Sequence, residues 1–311
     1  MGDRNKAISE AFITTLEAII GGENVLRDEP MAKHTTFRIG GPADLFVLPR
    51  RTEHLIYVIH NCREAGIPYF ILGNGSNLLV HDEGYRGVVI QLDHNFEGSL
   101  IEGACIHARA GMLLSKLAAT AAADGLTGLE FASGIPGTVG GGVTMNAGAY
   151  GGEIKDVLIW VEVLTDDLQI RTVSREELAL GYRHSRIMEE SWIVLHAAFA
   201  LQSGDPAKIH ARMEELREAR TAKQPLEYPS AGSTFKRPEG HFAGKLIMDS
   251  GLAGARVGGA QVSEKHCGFV INSDHATAED VRALIRHIQE TVKANAGVSL
   301  ETEVRFLGFG E

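Results

Sequence analysis

Two glycine-rich segments carry the clearest chemical signal in the sequence. Residues 134–152 read GIPGTVGGGVTMNAGAYGG, and eight of these nineteen residues are glycine. Glycine loses more conformational freedom on folding than any other residue, so a purely structural loop rarely contains so many. A backbone without side chains can lie against a flat ring and a diphosphate. We therefore predict that this segment binds a nucleotide-like ligand.

A shorter segment, GNGSN at 73–77, follows a predicted strand. Backbone N–H groups in such a turn can form a nest for an anion, and Ser76 and Asn77 add a hydroxyl and an amide. Leu78 stands where a dinucleotide-binding fingerprint has its third glycine, and most glycine turns are only turns, so this signal is weaker. The candidate cofactor-binding residues of the two segments are Gly73, Asn74, Gly75, Ser76, Asn77, Leu78, Gly134, Ile135, Pro136, Gly137, Thr138, Gly140, Gly141, Asn146, Gly148 and Ala149.

Alternating strands and helices must position the shorter segment. The chain has 311 residues, which suggests two or three domains. Strands are predicted at 44–49, 68–72 and 87–92, and a helix is predicted at 52–66 between the first two. Apolar residues at helical spacing between residues 12 and 20 predict a further short helix. This order is typical of an α/β unit.

The rest of the chain indicates a strand-rich part and an α+β part. The second part is predicted to form a mixed sheet with its main strands at 157–165, 168–173 and 192–201. Asp205 as N-cap and Pro206 at the first helical position start a helix, predicted over 205–223, and we place a domain boundary there. The last third is predicted to contain a strand at 267–273, a helix at 277–297 and a strand at 300–308. The predicted domains are therefore 1–95, 96–204 and 205–311.

Composition narrows the classes of function. Apolar residues make up 44% and charged residues 23%, as in ordinary globular proteins. The net charge of −10 argues against sequence-independent binding to nucleic acid, which needs a basic surface. No apolar stretch is long enough for a membrane span or a signal peptide. The three scattered cysteines indicate reduced thiols in a cytoplasmic protein, and the thirteen histidines show no metal-binding spacing, so no metal is expected.

Six motifs occur in order along nearly the whole chain. They are HTTFRIGGPAD (34–44), GNGSNLLV (73–80), GIPGTVGGGVTMNAGAYGGEI (134–154), YRHSR (182–186), AGSTFKRP (231–238) and ETEVRFLG (301–308). In this order they resemble the UDP-N-acetylenolpyruvoylglucosamine reductase family of bacterial cell-wall precursor enzymes. The short segment between the fourth and fifth motifs is similar to the second type of the family, which lacks a loop that covers the substrate with a tyrosine.

The resemblance implies a mixed α+β and α/β fold. It consists of an FAD-binding domain of the vanillyl-alcohol-oxidase type, made of two subdomains, and a C-terminal α+β substrate domain. FAD is expected to bind non-covalently against the glycine backbone, with NADPH as co-substrate. The implied reaction, in cytoplasmic peptidoglycan precursor synthesis, reduces the enolpyruvyl ether of UDP-N-acetylglucosamine enolpyruvate to UDP-N-acetylmuramate. The implied partner is thus a small molecule, with neither nucleic acid nor membrane.

The resemblance also implies roles for individual residues. Hydride from the reduced flavin N5 goes to the vinyl CH₂ carbon, so negative charge builds at the next carbon and in its carboxylate. Arg183 matches the cation near that carboxylate, Ser233 the proton donor, and Glu303 the group that shares a proton with the enediolate. The residues matched to substrate binding are Tyr182, Lys236, Arg237, Lys245 and His266.

Two other functions remain open at this point. The first is another FAD enzyme of the same architecture, such as an alcohol oxidase or dehydrogenase, which often tethers its flavin through histidine. Residues 134–152 contain no histidine. The second is a non-catalytic nucleotide-binding module, which would have glycine loops without a proton donor and would bind its nucleotide without flavin colour.

Overall fold

The first part of the chain folds as a small α/β sheet, and the computed structural model describes residues 8–310 of the whole. Its elements are α1 (Glu10–Ile20), β1 (Val25–Pro30), β2 (Pro42–Val47), α2 (Thr52–Ala65), β3 (Tyr69–Leu72), β4 (Leu78–Val80) and β5 (Tyr85–Gln91). The sheet order is β1-β2-β5-β3, with β5 parallel to both neighbours. Leu16 of α1 and Val58 of α2 are fully buried in one apolar cluster with the sheet. The predicted alternation is confirmed, although β1 and β4 were not predicted.

The second part is built on a five-stranded antiparallel sheet. Its elements are β6 (Ser99–Glu102), β7 (Cys105–Arg109), α3 (Leu114–Ala123), β8 (Leu126–Thr127), α4 (Val139–Thr144), β9 (Gly148–Ala149), β10 (Gly152–Glu153), α5 (Ile154–Val157), β11 (Leu158–Leu164), β12 (Ile170–Ser174), α6 (Arg186–Glu189), β13 (Ile193–Ala200) and β14 (Gln202–Ser203). The sheet order is β12-β11-β13-β7-β6, and every pairing is antiparallel. The prediction of a mixed sheet was therefore wrong. Short turns join β6 to β7 and β11 to β12, and such turns join only antiparallel strands.

The long glycine segment contains the short helix α4, which was not predicted. A Cβ atom at Gly142 would lie 2.7 Å from Leu114 Cδ1, and one at Gly140 would lie 3.0 Å from the Ala110 Cβ. These two glycines therefore let α4 pack closely against α3 and the end of β7. The segment owes part of its glycine content to protein packing, which the interpretation as ligand backbone did not foresee.

The third part combines a long helix with a small α+β unit. Its elements are α7 (Pro206–Lys223), α8 (Ala243–Asp249), β15 (Arg256–Val257), β16 (Ala260–Val262), β17 (Val270–Asn272), α9 (Ala278–Ala296) and β18 (Arg305–Leu307). Both long helices begin as predicted: Asp205 accepts a hydrogen bond from Ala207 N at 2.9 Å, and Thr277 forms a capping box with Asp280. Among residues 8–310, no helix combines the length and the apolar character needed to cross a membrane.

The helix α7 packs back onto the second part. Its buried residues Ile209 and Leu216 lie on the side that contacts α3, β8 and the turn at 130–132. The three-stranded sheet β15-β16-β17 packs instead with α8 and α9 in a separate apolar cluster. The helix therefore leads from the second part to the third.

The C-terminal segment ties the third part to the first. The strand predicted at 300–308 is shorter than expected, because only β18 pairs regularly, parallel to β4. Its earlier residues instead run beside residues 234–236, where Lys236 N donates to Glu301 O at 2.9 Å. On the same side, the Asp82 carboxylate accepts hydrogen bonds from Ala278 N at 2.7 Å and Glu279 N at 3.2 Å, at the start of α9.

Candidate active site

An open cleft of about 650 Å³ lies where the second and third parts meet. The hairpin of β9 and β10 forms one wall, and the loop 264–268 with the start of α8 forms another. All three residues predicted to be catalytic line it: Arg183, Ser233 and Glu303. The cleft is also lined by Gly148, Ala149, Tyr182, Arg237, Lys245 and His266 from the predicted binding residues. The fold thus brings together positions that lie far apart in the sequence.

Arg183 and Glu303 form a close ion pair in this cleft. Arg183 Nε lies 2.5 Å from Glu303 Oε1, and only 22% and 12% of the two side chains are exposed. Arg183 sits in a tight turn closed by two backbone hydrogen bonds between Gly181 and His184, with a left-handed φ of 53°. A non-glycine residue rarely adopts this φ, so the turn carries local strain that its two hydrogen bonds must offset.

Glu303 is fixed by its backbone as well as by its side chain. Its N–H donates to Thr234 O at 2.9 Å, and its carbonyl accepts a hydrogen bond from Asn77 Nδ2 at 3.0 Å. Burial raises the pKa of the Glu303 carboxyl, although Arg183 and Lys236 act in the opposite direction. Glu301 lies two residues before Glu303, so a regular strand would place both side chains on one face. Glu301 is instead largely exposed and pairs with Lys236 at 3.2 Å outside the cleft.

Ser233 stands at an exposed position between two fixed neighbours. Gly232 before it has a φ of 73°, which favours glycine. Thr234 after it is buried, donates its N–H to Gly268 O at 2.9 Å and accepts from Val270 N at 3.0 Å through its hydroxyl. The hydrogen bonds of Thr234 therefore hold Ser233 at the cleft, while the Ser233 side chain itself is not buried in the core.

The two glycine segments lie against each other beside the first sheet. Asn74 Nδ2 donates to Pro136 O at 2.5 Å, and a Cβ atom at Gly73 would lie 2.6 Å from Thr138 Oγ1. Gly75 is also needed for packing, because its Cβ would meet the backbone of His34.

Other glycines of the long segment leave bare backbone. A Cβ at Gly137 would have no atom nearer than 3.8 Å, one at Gly141 would touch only Thr138 Oγ1 at 3.5 Å, and one at Gly151 would meet nothing within 4 Å. This backbone, next to a donor-rich turn, fits a ligand with a flat ring and a diphosphate.

Two predicted binding residues are engaged elsewhere. The Asn146 side chain is buried: its Nδ2 donates to Glu153 Oε2 and to Gly181 O, both at 2.9 Å, and its Oδ1 accepts from Lys155 N at 3.0 Å. It thereby joins the glycine segment to the turn that carries Arg183. Lys236 lies outside the cleft, in a neighbouring pocket of about 430 Å³ that Tyr182 and Arg237 also line.

The remaining predicted binding residues form a basic side of the cleft. The Arg237 guanidinium lies 4.6 Å from the centre of the Phe242 ring, and the backbone N–H of Arg237 donates to Tyr182 Oη at 3.1 Å. Lys245 pairs with Asp249 at 2.8 Å, and burial lowers the pKa of His266. Phe242, which is 61% exposed, was missed by the sequence analysis; an apolar residue inside a polar, glycine-rich loop was the available signal.

Comparison with known proteins identifies both halves of the chain. Residues 43–174 match the FAD binding domain family, and residues 224–307 match the UDP-N-acetylenolpyruvoylglucosamine reductase, C-terminal domain family. The UDP-N-acetylenolpyruvoylglucosamine reductase of Lachnoclostridium phytofermentans is 52% identical over 305 residues, which cover 97% of this chain and 98% of the relative. The protein of the same name from Alkaliphilus oremlandii is 53% identical over 293 residues, covering 94% and 96%.

A solved structure agrees with these matches. The crystal structure of UDP-N-acetylenolpyruvylglucosamine reductase from Thermus caldophilus aligns with a TM-score of 0.79 and 39% sequence identity. The alignment covers 90% of this chain and 98% of that chain. The similarity therefore extends over most of the chain and is not confined to one matched domain.

Proposed function

The chain belongs to the UDP-N-acetylenolpyruvoylglucosamine reductase family and is an FAD-dependent oxidoreductase, and we propose that it reduces the enolpyruvyl ether of UDP-N-acetylglucosamine enolpyruvate to UDP-N-acetylmuramate. NADPH is the proposed electron donor. The observation that carries the proposal is the close Arg183–Glu303 pair in one cleft with Ser233. A carboxylate anchor, an acid and a proton donor are the groups that this reduction requires.

The residues proposed to hold FAD are the two touching glycine segments, 73–78 and 134–149. Bare backbone at Gly137 and Gly141 accepts the close approach of a diphosphate and a flat ring. Binding is proposed to be non-covalent. When bound, FAD supplies the hydride for the substrate. The protein contributes the orientation of both reactants and the management of charge and protons.

Arg183 is proposed to bind the carboxylate of the enolpyruvyl group. Its planar guanidinium can make two parallel hydrogen bonds to a carboxylate, and its Nε is already held by Glu303 at 2.5 Å. The strained turn at residues 181–184 keeps the guanidinium in the cleft. Negative charge that develops on the substrate carboxylate is then stabilised by a guanidinium that is already in position and does not have to move during the reaction.

Ser233 and Glu303 are proposed to handle protons. The Ser233 hydroxyl donates a proton to the carbon next to the one that receives hydride. A serine hydroxyl is a weak acid, but an enediolate carbon is a strong base, so the transfer is feasible. Glu303, whose pKa is raised by burial, shares a proton with the enediolate oxygen.

The basic side of the cleft is proposed to bind the uridine diphosphate. This side is lined by Lys245, Arg237 and Lys265. Their three positive charges are concentrated there, although the net charge of the chain is −10. His266 and Tyr182 complete the proposed substrate contacts. Lys236, paired with Glu301, would act from the neighbouring pocket. The division into 1–95, 96–204 and 205–311 and the cytoplasmic location remain predictions.

The absorbance spectrum of the purified protein tests this function in one cuvette. The flavin bands should be present, should bleach when NADPH is added without oxygen, and should return when the enolpyruvyl substrate follows. Acid precipitation should then release all yellow colour into the supernatant, because the cofactor is not tethered. Bands that fail to return with this substrate would contradict the proposed reaction, and a colourless protein would point to a nucleotide-binding module.

A further inference from the structure

The buried side chain of Asn146 uses both of its donor hydrogens inside the protein. They go to Glu153 Oε2 and to Gly181 O, each at 2.9 Å from Nδ2, while Oδ1 accepts from Lys155 N at 3.0 Å. These partners fix the direction of the amide, because a carboxylate and a carbonyl accept whereas a backbone N–H donates. The Asn146 side chain therefore has no donor left for a ligand, although the residue lies in the segment that fits FAD.

The Gly181 carbonyl that Asn146 holds is the same group that closes the turn of Arg183. His184 N donates to this carbonyl oxygen at 3.3 Å, and Gly181 N donates to His184 O at 3.0 Å. A carbonyl oxygen has two lone pairs, so it can accept from the turn and from Asn146 together. The hydrogen bond from Asn146 thus acts on the backbone two residues before Arg183.

Left-handed backbone occurs on both sides of this contact. Asn146 has a φ of 43° and Arg183 a φ of 53°. Such a conformation costs free energy and persists only where surrounding contacts outweigh that cost. Asparagine tolerates it better than most residues, whereas arginine has no such advantage. The turn of Arg183 therefore depends on support from outside, and Asn146 supplies a buried hydrogen bond to it.

A second hydrogen bond joins the same two segments just after the turn. Ser185 is fully buried, and its hydroxyl donates to Thr144 O at 2.6 Å. This bond lies outside the turn, whereas the one from Asn146 ends on the carbonyl that closes it. The Arg183 side chain is held separately, because its Nε donates to Glu303. Arg183 is thus fixed through its backbone by the glycine segment and through its guanidinium by the C-terminal segment.

We propose that Asn146 is a positioning residue for the reaction, which holds the turn of Arg183 against the FAD-binding segment so that the guanidinium meets the substrate carboxylate. The inference rests on the proposed function, in which Arg183 binds that carboxylate. It assigns the Asn146 side chain to Arg183, where the sequence analysis predicted a contact with FAD. Asn146 thereby controls selectivity for the enolpyruvyl group rather than affinity for the nucleotide.

The test uses Asn146→Gly, because glycine adopts the left-handed φ without strain and only the side chain is lost. Affinities of the FAD-loaded, oxidised enzyme are measured for the enolpyruvyl substrate and for UDP-N-acetylglucosamine, which lacks the carboxylate. The first affinity should weaken by about 10- to 100-fold, the range that hydrogen bonds to charged groups contribute. The second should change by less than about twofold, since Arg183 does not act on this ligand. Flavin content per protein should stay at the wild-type value.

A double-variant cycle determines whether Asn146 acts through Arg183. Arg183→Met removes the carboxylate anchor, so adding Asn146→Gly to it should cause no further loss of substrate affinity. Independent, additive losses would mean that Asn146 acts by another route and would overturn the inference. Asn146→Asp, which keeps the size of the side chain but replaces both donor hydrogens, should show the same selective loss as Asn146→Gly. It serves as the test if the glycine variant fails to fold, as judged by urea unfolding.

The matched control is Asn272→Ala. The Asn272 amide also bridges two segments, because Nδ2 donates to Phe37 O at 3.3 Å and Oδ1 accepts from Ala276 N at 2.8 Å. Asn272 does not line the cleft. Its substitution should therefore leave the ratio of the two ligand affinities unchanged, even where it lowers the free energy of unfolding.

Three results would overturn the inference while leaving the proposed function intact. Equal weakening for the substrate and for UDP-N-acetylglucosamine in Asn146→Gly would make Asn146 a structural residue of the whole cleft. Unchanged affinity for both ligands would show that the Arg183 turn needs no support from Asn146. Loss of FAD with unchanged selectivity would make Asn146 a cofactor contact. A wild-type enzyme whose reduced flavin is not reoxidised by the enolpyruvyl substrate would instead contradict the proposed function itself.

Discussion

Glu303 shows how its surroundings determine the chemistry of one residue. Its carboxyl is paired with Arg183, which alone would lower its pKa, yet removal from water outweighs the pairing and raises the pKa. A carboxyl of this kind can hold a proton closer to neutral pH than an exposed glutamate can. Glu301, two residues earlier, is exposed and paired with Lys236, so the two glutamates differ in environment rather than in type.

The Ser233 hydroxyl can be tested by separating the two half-reactions. In Ser233→Ala, reduction of the flavin by NADPH should keep a near-normal rate, because that step needs no proton at the substrate carbon. Reoxidation by the enolpyruvyl substrate should slow by about 10²–10⁴-fold, the usual contribution of a positioned proton donor. Stopped-flow absorbance measures both steps, and Ser233→Cys should restore part of the second rate. Equal slowing of both steps would mean that Ser233 has a structural role.

At the scale of elements, the sequence predicted those helices whose stabilising contacts lie close together along the chain. The helices α7 and α9 were predicted because their capping residues Asp205 and Thr277 lie within a few residues of the groups they satisfy. The helix α4 was missed, because a glycine-rich hexamer has poor helix propensity and is held by contact with Leu114. The same limit applies to the site, where the motifs gave the residues but not the pairing of Arg183 with Glu303.

The two kinds of glycine in α4 predict opposite effects of substitution. Gly141→Val should leave the fold intact and abolish retention of FAD, because the side chain enters open space where the cofactor is expected. Gly142→Ala should instead destabilise the protein by about 1–3 kcal/mol, since its methyl group would overlap Leu114. Flavin content per protein and urea unfolding separate the two effects. Full flavin content in Gly141→Val would show that the cofactor lies elsewhere.

The start of α9 predicts a pH-dependent contribution to stability. Hydrogen bonds from Thr277 N and Gly259 N hold the pKa of Asp280 below its ordinary value of 3.8. The contribution is therefore present above pH 3.8 and is lost as the pH falls through the lower folded-state value. Asp280→Ala should cost about 1 kcal/mol at pH 7 and less near pH 3, measured by urea unfolding. The exposed Asp274→Ala is the control, and a loss that does not depend on pH would contradict the argument.

At the scale of the whole molecule, side-chain contacts join the first and third parts. Asp82, in the first part, caps the start of α9 with both carboxylate oxygens. Asp82→Ala should therefore lower the free energy of unfolding by about 1–2 kcal/mol. The neighbouring, exposed Glu83→Ala should change it by less than about 0.5 kcal/mol. Equal losses in the two variants would show that the Asp82 contacts contribute nothing.

The pairing of β4 with β18 also sets an order of events during synthesis. Asn77 and Glu303, which it brings together, are 226 residues apart. At about 5–20 residues per second, a ribosome needs roughly 10–45 s to cover that distance. During this time the two glycine segments leave the ribosome one after the other, while the strand β18, which pairs with β4, has not yet been translated. Assembly of the catalytic centre therefore waits until Glu303 and the strand β18 have left the exit tunnel.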